Sequence, residues 1–431
     1  MKTIRYIAAG VAAAVAAVAL TGCSGGNGAQ SSGDDKSLTV WLMQDTLTDA
    51  SQKAIVDGFK KKTGITAKVE VQQWDNINTK LTTALATDTP PDVVEIGNTD
   101  VPLFAANGAL LDLTSDKKDL EGADTWLKGL EGPATVDGKL YAAPFYAGTR
   151  AVIYNKDIWA KAGVMDAPTS YDELTSDLDK VRALNQAPDF SPIYLTGTYW
   201  YNALSFLYDA GGALAKKSGD SWKGQLETAQ SQKGLSDFKT FQNAYSTEGS
   251  RTAPMDTPNP TDVFATGKTS AIMGNGNALK TILQANAGLV GHVGSFPFPS
   301  KADPGKNMPN FLGGSDIGIA AKAQHQKAAL QFVKYITSDD IQAKQVSEAS
   351  GHIPISDQLI DTVTATLPDE MKAFYQGAKL SISTPATPGW ATIESDASVT
   401  DFFSQVSSGN KSVAQAAADF DKHLDAALNA K

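Results

Sequence analysis

Three short apolar runs alternate with two amphipathic stretches between residues 38 and 97, and this alternation limits the available folds more than any other feature of the chain. "LTVWLM" (38–43) is nearly continuous in apolar residues, as expected of a strand covered on both faces. A polar turn, Gln44-Asp45-Thr46, separates it from a stretch with Ile55, Val56 and Phe59 on one helical face, closed by Gly64. "AKVEVQ" gives a second strand, and "PPDVVEIG" a third that stops at Gly97. Between them Ile77, Leu81, Ala84 and Leu85 have the spacing of an amphipathic helix. Two more helices are marked by Ala329, Phe332, Val333 and Ile336, and by Val413, Ala417, Phe420, Leu424 and Leu428. Strands alternating with helices predict an α/β fold. No repeat of fixed period competes with it.

The first 37 residues stand apart from that body. Lys2 and Arg5 flank a 13-residue uncharged run from Ala8 to Leu20. It is too short to cross a hydrocarbon core, which needs about 20 apolar residues, and has the proportions of a secretory leader. Cys23 is the single cysteine, so an internal disulfide is impossible. The tract around it offers nothing to activate a catalytic thiol. Leu20-Thr21-Gly22-Cys23 resembles the lipobox of bacterial lipoproteins; the plainer alternative is an ordinary signal peptide with an incidental cysteine. The resemblance implies cleavage of residues 1–22 and a diacylglyceryl group on Cys23. Residues 24–36 contain no apolar side chain larger than Ala29, so 23–37 is expected to be a lipidated cysteine on a flexible leash. Each buried acyl CH₂ contributes about 0.8 kcal/mol, and several chains together hold a protein at a membrane.

Removing the leader leaves about 395 residues, enough for two domains or more, and 42% apolar content is enough for real cores. The formal charge is −10, and loss of Lys2 and Arg5 takes it to −12. An acidic chain without a Lys/Arg cluster argues against nucleic acid and anionic lipid surfaces as partners. The four histidines have no metal-ligand spacing, and no cofactor motif is present.

The order "LTVW…FKKKTGITAKVEVQQW…KLTTALATDTPPDVVEIGN…FAANGALLDLT" resembles the amino-terminal lobe of extracellular solute-binding proteins of bacterial ABC importers, oligosaccharide class. "GKLYAAPFYAGTRAVIYNKDIWAKAGV" is similar to the segment in which such proteins cross to their second lobe. "FATGKTSAIMGNGN", "FLGGSDIGIAAKAQHQKAALQFVKYITS" and "GNKSVAQAAADFDKHLDAAL" match later blocks in the same order. The resemblance implies a two-lobed, periplasmic-binding-protein-like fold (type II) with three interlobe crossovers and a ligand cleft between the lobes. It places one lobe at 38–147 plus 315–351 and the other at 150–312 plus 353–431. Gly148, Gly313-Gly314 and Gly351 then lie near the crossings, as hinge residues or as ordinary turn glycines.

A sugar needs aromatic platforms for its C–H face and polar groups for its hydroxyls. Asp45 is in the family's position for a hydroxyl-binding acid, or caps the next helix. Trp74 either stacks on ligand or wedges into the core. Asn98 and Thr99 follow the third strand, on a loop the family often uses, while Glu95 within that strand reads as structural. Tyr146 and Arg150 flank the predicted hinge glycine, and an arginine there could bridge sugar oxygens or tie the lobes together. Counting back from Gly211-Gly212, Tyr199 and Tyr201 take the family's ligand positions and leave Trp200 for packing. Asn275 and Asn277 lie on a Gly-rich loop, with a simple Asn-Gly turn as the alternative. Asp316 follows the glycine pair at a crossover. Trp390 stands in "TPGWATIE", a Pro/Gly-rich loop where an indole is costly to leave uncovered; it either stacks on ligand or belongs to the core.

Maltodextrin-type relatives carry a glutamate where this chain has Gly148, so their contact set does not transfer. "YAGTR" is similar to the form in binders of chitobiose-like or other short oligosaccharides. The expected protein is a monomeric, lipid-anchored binder on the extracellular face of the cell membrane. It would capture a di- to tetrasaccharide and deliver it to a membrane permease with associated ATPase subunits. The competing class is a secreted lipid-anchored glycosidase, which needs two carboxylates across a glycosidic bond; Asp45, Asp316 and Glu394 are the candidates.

Overall fold

The computed structural model describes residues 36–430. The leader, Cys23 and the leash up to residue 35 lie outside them, whereas Ser37, expected at the end of the leash, already belongs to the first strand. Five strands form the first sheet: β1 (Ser37–Met43), β2 (Thr66–Gln72), β3 (Val93–Gly97), β4 (Ala142–Gly148) and β8 (Gly313–Ile319). Their order is β2-β1-β3-β8-β4, parallel from β2 to β3, with β8 antiparallel to both of its neighbours. A second sheet holds β5 (Ala151–Asn155), β6 (Ala271–Gly274) and β7 (Val293–Phe296) in the order β6-β5-β7.

The periodicities in the sequence reappear as packed faces. Helix Asp49–Thr63 is capped by Thr48, whose hydroxyl accepts from the Ser51 amide, and ends at Gly64 with φ 79°. It buries Ile55 and Phe59. Helix Ile77–Ala86 buries Ile77, Leu81 and Leu85, and helix Gln326–Ile336 buries Phe332, Val333 and Ile336 against β8 and β1. In the second lobe the aromatic core includes Trp159, Phe206, Phe238, Phe241 and Phe403. The final helix, Val413–Leu428, closes it with Ala417, Phe420 and Leu424.

Three passages join the lobes. The first runs from β4 to β5 through Thr149 and Arg150, and the second enters β8 at Gly313, which pairs with Gly148 across the sheet. The third differs from expectation. Gly351 is a turn glycine (φ 80°) ending the segment Gln342–Glu348, and residues 353–356 remain with the first lobe. Ile353 exchanges backbone hydrogen bonds with Ala147 at 2.9 and 3.1 Å, and Leu127 donates to the Ile355 carbonyl at 2.9 Å. The return to the second lobe comes later, at helix Asp369–Ala378, which packs on β7.

Candidate functional site

A cleft of about 300 Å³ opens where these passages meet. The loop after β1 contributes Gln44, Asp45 and Thr46, and the loop after β2 contributes Trp74. The β4–β5 passage adds Tyr146 and Arg150, and the start of helix Gly276–Ala285 adds Asn275 and Asn277. Six of the residues singled out in the sequence are thus brought together: Asp45, Trp74, Tyr146, Arg150, Asn275 and Asn277.

Each has a local cause. Asp45 sits at φ 64°, exposed, and is not the helix cap, because Thr48 takes that role. Trp74 is 41% exposed, so it is no core wedge. An indole in that state offers a ring face to whatever enters. The Tyr146 ring lies 4.2 Å from that of His352, centroid to centroid, with the phenol beside Ser315 and Thr46. Burial, with the nearby Glu95, pushes the Tyr146 pKa up and keeps the hydroxyl protonated. Burial pushes His352 the other way, so its imidazole is neutral. Asn275 is the cap of its helix, Oδ1 accepting from the Ala278 amide at 2.9 Å, and Asn277 is exposed in the first turn. The free amides of that helix start favour acceptor oxygens in the cleft.

Arg150 is the one cation among the lining residues named, and two tyrosines hold it. Its Nε donates to Tyr199 Oη at 2.9 Å, and its guanidinium lies 3.9 Å from the Tyr201 ring centroid. Phe311 stacks on Tyr201 at 5.3 Å, and Trp200 lies 4.1 Å from it. Tyr199 and Tyr201 therefore do not line the cleft as expected; they form the seat of Arg150. Trp200 is buried, as the packing assignment required.

Four other expectations are corrected. Asn98 is buried, donating to the Leu312 carbonyl at 3.0 Å, so it ties two backbone segments together. Thr99 faces Glu394 of the second lobe across the seam. Asp316 is fully buried in β8, with neither carboxylate oxygen partnered, and burial pushes its pKa well up. The alternation of the strand turns Ser315 toward Glu95 and Asp316 to the opposite face. A glycosidase pair using Asp316 is not assembled. Trp390 is 0% exposed, on helix Gly389–Ser395 rather than a loop, edge-on to Trp200 at 5.9 Å. That helix packs so tightly on the last one that a Cβ at Gly389 would lie 2.0 Å from the Ala427 carbonyl oxygen.

Residues not foreseen are His352, Met371, Phe374 and Tyr375, which complete the wall. Their only sequence signal was the position of His352 beside Gly351. At the seam beyond the cleft two carboxylates meet. Burial raises Glu394 to about 7, with Asp100 adding to it, and burial raises Asp100 to about 6. The Trp390 indole is directed at the Glu394 carboxylate without closing a well-formed hydrogen bond. Among the described residues no helix is long and apolar enough to cross a membrane.

Comparison with known proteins bears on what this geometry serves. Residues 44–343 match the family model described as bacterial extracellular solute-binding protein. The diacetylchitobiose binding protein DasA of Streptomyces coelicolor is 35% identical over 406 residues, covering 92% of each chain. Among solved structures, the sugar-binding protein MalE of Xanthomonas citri superposes with a TM-score of 0.79 at 23% identity, over 91% of this chain and 97% of that one. The GacH receptor of Streptomyces glaucescens gives 0.72 at 22% identity, over 92% and 99%. At those identities the two structures speak for the two-lobed fold.

Proposed function

Because the chain belongs to the bacterial extracellular solute-binding protein family, we propose that it captures a short oligosaccharide of the acetamido-disaccharide type by lobe closure. The closed protein hands the sugar to an ABC importer permease, whose ATPase subunits drive transport. The observation that carries this reading is Trp74, a large indole exposed at a cleft that also holds several polar side chains. Around it stand neutral donors and acceptors (Gln44, Tyr146, Asn277, His352) with one carboxylate and one guanidinium, a set suited to hydroxyls and amides. The cleft volume is at the small end for ligand sites, which favours two to four sugar units over longer chains. The 35% identity to a diacetylchitobiose binding protein supports the acetamido class. Bridging both lobes, the sugar makes more contacts when they close and shifts the population to the closed form. Lipid attachment at Cys23 would keep the monomeric binder at the cell surface beside its permease.

The test is calorimetric titration with disaccharides to pentasaccharides, with and without acetamido groups, under conditions in which product formation is also monitored. Saturable binding of diacetylchitobiose without turnover is the expected result. Binding confined to unsubstituted maltodextrins would sink the acetamido assignment, and hydrolysis would sink the binder. For the anchor, Cys23→Ala should give an unlipidated precursor that the lipoprotein peptidase leaves uncleaved. Normal processing of that variant would refute the attachment.

A further inference from the structure

We propose that Glu95 is a positioning residue for ligand capture, locking the 44–46 loop of the cleft to the hinge strand β8 from beneath. The inference rests on the cleft being the ligand site. Glu95 stands in β3 among Val93, Val94 and Ile96, all fully buried, and is fully buried itself. A carboxylate is a costly occupant of such a position, tolerated only when its hydrogen bonds are satisfied. Here both oxygens are. Oε2 accepts from the Met43 amide at 2.8 Å, and Oε1 accepts from Thr46 Oγ1 at 2.8 Å and Ser315 Oγ at 2.6 Å.

All three donors adjoin the cleft. Met43 and Thr46 bracket Gln44 and Asp45, and Ser315 follows the cleft-lining Gly313-Gly314 at the irregularity in the β8–β4 pairing. The turn holds itself poorly, since the Thr46 amide reaches the Met43 carbonyl at only 3.4 Å. Asp45 meanwhile sits at a left-handed φ of 64°, which a non-glycine residue keeps only when its flanks are fixed. Glu95 fixes both flanks. The arrangement also orders Tyr146, whose phenol lies beside the same two hydroxyls. With Ser315 and Thr46 donating to Glu95, their lone pairs are left for the Tyr146 O–H. One buried carboxylate thereby sets the direction of Asp45 and of Tyr146, and makes loop and hinge strand one unit during closure.

The experiment uses Glu95→Gln, which keeps the volume but replaces one acceptor oxygen with a donor. In unliganded protein, hydrogen exchange at residues 44–46 should speed up while the rest of the first sheet stays protected. With diacetylchitobiose as probe, affinity should fall about tenfold, and the loss should be non-additive with Asp45→Asn in a double-mutant cycle. Ser315→Ala removes a donor outside the cleft lining and should weaken binding in the same sense, and it decides the matter if Glu95→Gln does not fold. Unchanged exchange at 44–46 overturns the proposal whatever the ligand. So does unchanged affinity, or strict additivity with Asp45→Asn. A wild type that ignores diacetylchitobiose, with faster exchange in the variant, overturns the ligand assignment and leaves the positioning role standing.

Discussion

Trp74 and Trp390 show what a single side chain can and cannot announce. Each follows a strand or loop signal in the sequence, and each could have been platform or core. What separates them is coverage by distant chain. Trp74 stays 41% exposed, whereas Trp390 is fully buried, on a helix that lies against the final helix and Trp200. Trp74→Ala should therefore cost at least about 2 kcal/mol of sugar affinity, roughly 30-fold, with a melting temperature close to wild type. Titration and scanning calorimetry on the same sample decide it; a large thermal loss with intact affinity would contradict the placement. Trp390→Ala should do the reverse, losing about 3–5 kcal/mol of folding stability. Asp316 was misassigned for a related reason. In sequence it follows the glycine pair at a crossover, but β8 runs through "GGSDIGI" between β3 and β4, and the Asp316 side chain is fully buried on one face of the sheet.

Among the elements, those with local causes were legible. Gly64 stops its helix, and Ile77, Leu81 and Leu85 share a buried face. Such features depend on residues within a few positions of one another. The third passage was not legible, because the pairing of Ile353 with Ala147 depends on the register of two segments far apart in sequence. The glycines near the crossings divide the same way. A Cβ at Gly314 (φ 141°) would stand 2.1 Å from the Tyr146 carbonyl oxygen, while one at Gly148 meets nothing within 4 Å. Gly314→Ala should lose at least about 1–3 kcal/mol from backbone strain alone, whereas Gly148→Ala should be nearly neutral. Denaturant unfolding of the pair checks this, and equal losses would mean that β8 is not held as described.

For the whole molecule, the seam between lobes predicts a pH dependence. In the folded protein Glu394 is raised to about 7 and Asp100 to about 6, while in the unfolded chain both titrate at ordinary carboxylate values. The folded form therefore binds more protons between those limits. The stability this contributes is complete below the unfolded values, falls as pH rises above them, and is gone once pH has passed about 6 to 7. Melting temperature should decline over that window in the wild type and stay flatter in Glu394→Gln; parallel profiles would show that the pair does not couple to folding. Solution scattering should show a smaller radius of gyration with saturating sugar at unchanged mass, and an unchanged profile would favour a rigid cleft. The strand order carries one more consequence, for biogenesis. β8 lies between β3 and β4, yet it is synthesised only after the whole of β5, β6 and β7. During translation the first sheet has a gap at its middle, and β4 has no partner within it until residues 313–319 arrive. The amino-terminal lobe, first to be started, thus cannot close its sheet until β5, β6 and β7 of the other lobe have been made.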